Sequence, residues 1–291
     1  MEELTSLHAP INACLKKIGA LNALRIDSRE VRAGDIFFAL AGHQTHGDRY
    51  IDEVIQQGAA AVFRSTQQDK ERVEQQKGVP IFYIDKLREV LGEIAHQFYG
   101  RPSEKLTIIG VTGTNGKTSV CHLLAQALTL LGHQAAVLGT AGNGIWPKLL
   151  PSTHTTLDVL SLHKILAEFV QDKVDVVLME VSSHGLEQGR IAGVAVDGGV
   201  FTNLTRDHLD YYRDIEHYAR AKRLLFDRPL SFALLNGDDQ QAQKWLRSGW
   251  SSQLSTQTFG IEGQGDIMAS DISVTMKGLQ AQVLTPEGGL S

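Results

Sequence analysis

The sequence predicts an α/β protein in two parts: a small N-terminal α/β unit, then a larger one whose central sheet is mostly parallel. Three observations carry this. A chain of 291 residues exceeds what one hydrophobic core usually serves, and 42% apolar with 21% charged residues is an ordinary globular balance. The apolar runs "LTIIGV", "AAVLGT" and "VDVVLMEV" alternate with helical stretches at about 117–131 and 156–170, as in a buried parallel sheet. Ahead of them, a shorter alternation of strand and helix closes near residue 87.

In that first part, "GD" breaks the chain before the strand-like run "IFFAL", and "DRYIDEVIQQ" fits an amphipathic helix stopped by Gly58. "AAAVFR" and "VPIFYID" read as strands. "LREVLGEIAHQFYG" reads as a helix with Leu87, Val90, Leu91, Ile94 and Phe98 on one face. The polar segment "GRPSEK" separates this part from the next. At the far end, "DISVTMKGLQAQVLTPEGGLS" looks like a hairpin joined at "KG" with no terminal helix after it, which predicts a fragment of a longer protein.

Charge and composition exclude several classes. A net charge of −5 offers no broad basic field for a nucleic-acid backbone. No apolar run is long enough to span a bilayer and no leader pattern opens the chain, so the expectation is a cytoplasmic protein without membrane insertion. Cys14 and Cys121 are too few for a disulfide framework and too far apart for a paired metal motif, and they read as reduced structural thiols.

The chemistry begins at "GVTGTNGKTSV" (110–120), where Val111 stands in place of the first glycine of the usual phosphate-loop rule. Strand, glycine-rich loop, lysine, hydroxyl and helix follow in the required order. The physics of the loop, inward backbone N–H groups at a helix N-terminus, does not need that glycine. Gly113, Thr114, Asn115, Gly116, Lys117, Thr118 and Ser119 are therefore the expected ATP-binding residues, with the Thr118 hydroxyl on magnesium. The helix after the loop carries an apolar stripe of Val120, Leu123, Leu124, Ala127, Leu128 and Leu131. A plain polar turn at "TGTNG" is the bland alternative.

"TGTNGKT" joined to "MEVSSHGLEQGRI", "FTNLTRDHLDYYRDIEHYARAK" and the N-terminal "DSREVRAGDIFFALAGHQTHGDRYIDEVIQQGAAAV" resembles the Mur ligase family, and within it the tripeptide-forming members. The resemblance covers both halves of the chain. It implies a UDP-MurNAc-binding domain at 1–87 and a truncated central ATP-binding domain at 88–291, the C-terminal domain being absent. It also implies a peptidoglycan-precursor ligase acting through an acyl phosphate. A diamino acid, meso-diaminopimelate rather than L-lysine, would join UDP-N-acetylmuramoyl-L-alanyl-D-glutamate with ATP and two magnesium ions. The chain is expected to act as a monomer on small molecules and, ending where it does, to bind the uridine nucleotide but catalyse poorly.

The resemblance also assigns residues. Glu180, a hard carboxylate at a strand end where ligands gather, is implied as a metal ligand beside Thr118. His208, supported by Asp207, is implied at the second magnesium. Lys222, which alone would read as a solvated charge on an amphipathic helix, is implied to be a carbon dioxide-derived carbamate that holds metal. Lys117, His208 and Lys222 are the implied catalytic set.

For the UDP-MurNAc-dipeptide, Ile26 and Ser28 with His43, Gln44 and Thr45 are implied for the nucleotide. His154, Thr155, Thr156, Ser182, Gln188 and Arg190 are implied for the dipeptide, and helix capping is the plainer role for Thr155 and Thr156. Departures from the family are Ser119-Val120 in place of two threonines, Tyr212 in place of a histidine, and the "HTTLD" form of the dipeptide motif.

Three other readings stay open. A serine hydrolase built on Ser182 or Ser183 with His184 lacks the nucleophile elbow. A folate polyglutamate synthetase-like ligase should lack the N-terminal domain. A non-catalytic nucleotide-binding relative conflicts with the intact set of site residues.

Overall fold

A computed structural model describes residues 22–40, 47–66, 72–152, 154–207, 211–249, 254–263, 265–276 and 278–290. The chain divides into two compact units, Met1–Ala95 and His96–Ser291. His43, Gln44, Thr45, His208 and Cys14 lie outside the described residues.

The first unit holds a five-stranded sheet of β1 (Leu24–Arg25), β2 (Ile36–Ala39), β3 (Ala61–Thr66), β4 (Arg72–Gln76) and β5 (Val79–Asp85), in the order β1-β2-β3-β5-β4. All pairings are parallel except β4 with β5. Because side chains alternate across a strand, Phe37 and Val62 share one face with Ile51, Val54 and Ile55 of helix α1 (Ile51–Gln56). On the opposite face Phe38, Phe63 and Phe82 stack with centroids 5.0 and 4.7 Å apart. Burying each such ring is worth roughly 1.5–3 kcal/mol. Helix α2 (Leu87–Phe98) follows β5, and the division between the units falls within it.

The second unit holds ten strands: β6 (Thr107–Thr112), β7 (Ala135–Gly139), β8 (Gly142–Ile145), β9 (Val176–Glu180), β10 (Gly198–Phe201), β11 (Phe232–Asn236), β12 (Ser255–Gly260), β13 (Ile267–Thr275), β14 (Gly278–Thr285) and β15 (Gly288–Leu290). Their order is β15-β14-β13-β12-β11-β10-β6-β9-β7-β8. From β13 through β7 the pairings are parallel, while β8, β14 and β15 add antiparallel edges.

Helices cover both faces of the parallel part. Cys121 and Ala125 of α3 (Lys117–Leu130) pack on Val111, Val137 and Leu178. Leu162 and Leu166 of α4 (Val159–Gln171), with Trp245 of α7 (Gln240–Arg247), pack on Ile108, Met179 and Phe201. Two short helices, α5 (Ser183–Glu187) and α6 (Ile215–Arg223), lie between β9 and β11 in the chain. Among the described residues no helix is long and apolar enough to cross a membrane.

Two expectations change here. The stripe on α3 is not all core: Leu123 and Leu131 are exposed, because the sheet needs only the narrow face of small residues around Cys121 and Ala125. The terminal hairpin, β13 with β14, gains a third strand in β15, and its alternation buries neither face fully, leaving Val274, Leu279 and Leu284 exposed.

Candidate functional site

Strand register assembles the site. Val111 pairs with Glu180 and Thr112 with Phe201, so the loop leaving β6 emerges between the ends of β9 and β10. Leu138 pairs with Met179, which brings Gly139 and Thr140 to the other side of Glu180.

The loop turns into α3 through Gly116, whose φ of +85° is the left-handed region that glycine enters without strain. Asn203 braces it: its carbonyl accepts from Thr114 N at 2.8 Å, its Oδ1 accepts from Asn115 N at 3.0 Å, and its Nδ2 donates to Asn115 O at 3.1 Å. Thr202 Oγ1 donates to Asn115 O at 2.6 Å. The amides of Thr114 and Asn115 are thereby engaged. The first helical turn, from Gly116 to Ser119, offers further amides that have no intrahelical acceptor and can bind an anion.

Lys117 folds back onto its own loop, donating to Gly113 O and Thr114 O, both at 2.9 Å. Lys222, only 1% exposed, donates to the same Gly113 carbonyl at 2.8 Å and lies 4.2 Å over the ring of Tyr218. Burial first, and then the charge of Lys117, push Lys222 down to about 7, against a smaller upward pull from Asp207. Burial also lowers Lys117, opposed by Glu180 and Asp207. A solvated lysine at 222 is thus ruled out.

Glu180 is equally buried, and its donors are hydroxyls and an amide. Thr118 Oγ1 lies 3.0 Å from both carboxylate oxygens, Thr140 N donates to Oε1 at 2.9 Å, and Thr140 Oγ1 donates to Oε2 at 3.3 Å. Position 139 must be glycine, since a Cβ there would stand 2.1 Å from Glu180 Oε1.

The pair Thr155 and Thr156 does not cap the following helix: Asp158 does, accepting from Leu160 N and Ser161 N. Thr156 Oγ1 instead bridges Glu180 O and Ser182 Oγ, each at 3.1 Å, and Thr155 Oγ1 accepts from Thr140 Oγ1 at 3.0 Å. Arg190 donates to Thr156 O at 2.7 Å and makes a fork with Gln188 Oε1. Thr155, Thr156, Ser182, Gln188 and Arg190 therefore form one network touching Glu180, while His154 is exposed beside it. In the first unit Ser28 is buried at a short 3-10 turn capped by Asp27, and Ile26 is exposed.

The hydrolase alternative finds no support in the geometry, and Ser183 is buried. Ser182 Oγ is occupied by Thr156 and by Gly185 N at 3.0 Å, and the His184 ring packs 4.2 Å from that of Tyr211. Tyr212, where the family resemblance implies histidine, is buried among His184, His217 and Tyr218.

The donor set fits a small hard cation. Thr118 and Glu180 offer a hydroxyl and a carboxylate, and among the described residues no cluster of three or more His, Cys, Asp or Glu is present. Magnesium is held in that way, by one or two protein oxygens with waters and phosphate completing the shell. Sequence reasoning missed Gly139, Thr140, Thr202, Asn203 and Tyr218.

Comparison with known proteins finds likenesses over most of the chain. Residues 21–99 match the model "Mur ligase family, catalytic domain" and residues 111–291 match "Mur ligase middle domain". A UDP-N-acetylmuramoyl-L-alanyl-D-glutamate--2,6-diaminopimelate ligase of Chromobacterium violaceum is 41% identical over 98% of this chain, which spans 58% of that relative. A solved ligase of the same name is 32% identical, with a TM-score of 0.78, over 93% of this chain and 55% of its own. A Mycobacterium tuberculosis folylpolyglutamate synthase complexed with ADP and AMPPCP shares the fold at 18% identity and a TM-score of 0.56, over only 69% of this chain and 52% of its own.

Proposed function

The chain belongs to the Mur ligase family, and from that premise we propose that it is the nucleotide-binding and carboxylate-activating part of an ATP-dependent amide ligase. Its substrates are ATP and UDP-N-acetylmuramoyl-L-alanyl-D-glutamate, and the whole protein joins the latter to meso-diaminopimelate. The carrying observation is that Glu180 is shared. It accepts from Thr118 at the phosphate loop and, through Thr140 and Thr156, touches the network that ends in Arg190. ATP and acceptor carboxylate thus meet across one buried group. We assign the uridine nucleotide to the first unit, at Ile26, Ser28, His43, Gln44 and Thr45.

The residues divide the work. First-turn amides and Lys117, once it leaves its loop carbonyls, bind the phosphates of ATP. Arg190, with Thr155 and Ser182, fixes the acceptor carboxylate in line for attack on the γ-phosphoryl group. The carboxylate oxygen forms a bond to phosphorus as the bond to ADP breaks, and the amine of the incoming amino acid later displaces phosphate from the acyl carbon. Thr118 and Glu180 would hold one magnesium ion, and His208 with carbamylated Lys222 would hold a second; when bound, the ions would supply charge neutralisation of the phosphate oxygens.

Carbamylation of Lys222 requires the neutral amine, which attacks carbon dioxide and releases one proton. Burial that lowers Lys222 to about 7 supports it. Carbamylation replaces a cation over the Tyr218 face by an anion, so Tyr218 is expected to shift when it occurs.

Calorimetric titration tests the reading. UDP should bind and be weakened by Ser28→Ala, and UDP-N-acetylmuramoyl-L-alanyl-D-glutamate should be weakened about tenfold by Arg190→Ala. Unchanged affinity in Arg190→Ala overturns the dipeptide assignment.

A further inference from the structure

Thr140 stands at a junction to which the ligase reading gives contacts but no role of its own. It follows β7, its amide and hydroxyl both reach the Glu180 carboxylate, and its hydroxyl also reaches Thr155. Gly139 exists in that form to let the pair approach so closely. A threonine hydroxyl carries a single proton, yet Thr140 Oγ1 has two acceptors, Thr155 Oγ1 at 3.0 Å and Glu180 Oε2 at 3.3 Å. It donates fully to only one of them at a time.

Two arrangements follow. In one, Thr140 donates to Glu180 Oε2. In the other, Thr155 donates to an anion bound beside it, its oxygen becomes an acceptor for Thr140, and Glu180 Oε2 loses a donor. No proton leaves its oxygen in either case, since only the hydroxyl rotors turn. A carboxylate oxygen relieved of a donor is a better partner for a cation. The amide of Thr140 holds Oε1 in both arrangements, so the carboxylate stays in place while its second oxygen loses the Thr140 donor and keeps Thr118 Oγ1 at 3.0 Å.

We infer that Thr140 is a positioning residue coupling anion binding at Thr155 to cation binding at Glu180. Arrival of the acceptor carboxylate tightens the metal, and by linkage the metal tightens the acceptor by the same factor. The inference rests on the ligase reading for the identity of the two ligands, and its geometry is that of the three side chains.

The test measures Mn2+ binding by electron paramagnetic resonance, with a non-hydrolysable ATP analogue present, with and without UDP-N-acetylmuramoyl-L-alanyl-D-glutamate. The parent chain should bind Mn2+ more tightly when the dipeptide is present. Thr140→Val keeps the amide and the shape but loses the rotor, and should lower that enhancement about fivefold, leaving only direct attraction between carboxylate and cation. Thr140→Ser should restore it, which a merely structural role for the methyl group would not produce. Equal enhancement in the parent and Thr140→Val overturns the inference. Binding of both ligands by the parent with no enhancement overturns it too, with the ligase reading left standing. Failure of the parent to bind either ligand overturns both.

Discussion

At the C-terminal ends of its parallel strands the second unit buries Glu180 and Lys222, each 1% exposed, along with Thr112, Thr156, Ser183 and Thr202. The first unit buries a stack of three phenylalanines, with Ser28, Asp35 and Thr66 as its buried polar residues among those described. Even where the first unit buries a charge, it compensates locally: Asp35 accepts from Arg25 Nε at 3.1 Å and Arg32 N at 3.0 Å. Lys222 has only a carbonyl and a ring, and no carboxylate within ion-pair distance among the described residues. The difference teaches where each unit keeps its stability. One sheet is optimised for folding, while the other tolerates a costly cluster at the strand ends that a phosphorylated ligand would compensate.

The largest effect that would test this contrast is in the first unit. Phe63→Ala removes the middle ring of the stack and should cost about 3–5 kcal/mol, read as an early transition in denaturant unfolding followed by tryptophan and far-ultraviolet signals. All three tryptophans, Trp146, Trp245 and Trp250, belong to the second unit. An unchanged tryptophan transition would separate the units, whereas one coincident shift would merge them into a single cooperative body.

Lys222→Met should act in the opposite direction. The folded-state value near 7 lies below the unfolded value of 10.5, so between these limits the unfolded chain binds more protons and stability rises with pH. Below pH 7 the full cost of the buried ammonium is present. With carbon dioxide excluded, so that Lys222 is the free amine, the variant should be more stable than the parent at pH 7, by about 1–2 kcal/mol, and should lose the rise toward pH 10 in a thermal-melt series. Destabilisation by this change would mean that the ammonium is a structural asset.

The smallest effect belongs to the far end of the second sheet. Asp238 accepts from the amides of Ile261, Glu262 and Gly263, which hold it below the usual carboxylate range. A depressed carboxylate contributes stability that is lost as pH falls through its folded value. Asp238→Asn should therefore leave global melting nearly unchanged while speeding hydrogen exchange at those three amides, and the parent should show the same local loosening in acid.

The sequence made β2, β3, β5, β6, β7 and β9 legible because their apolar runs are bounded by glycine and charge, while the parallel strands β1, β10, β11 and β12 went unread. It hid β4, where "RVEQQ" lies at an edge and is nearly all exposed, so it carries no alternation to detect. Thr118, Glu180 and Lys222 were readable as chemistry-bearing types in recognisable surroundings. Thr140 and Asn203 were not, since each acts on a group 40 and 88 positions away, and nothing local marks a residue chosen for a distant partner. The exposed leucines of α3 show the reverse error, a stripe wider than the face that the sheet covers.

The brace that Asn203 places on the phosphate loop has a thermodynamic consequence. A loop whose Thr114 and Asn115 amides are already engaged has little conformational entropy left to lose when an anion arrives. Capture at the first turn of α3 is then governed by how fast water leaves the amides and Lys117 leaves the Gly113 and Thr114 carbonyls, and not by waiting for the chain to find its shape.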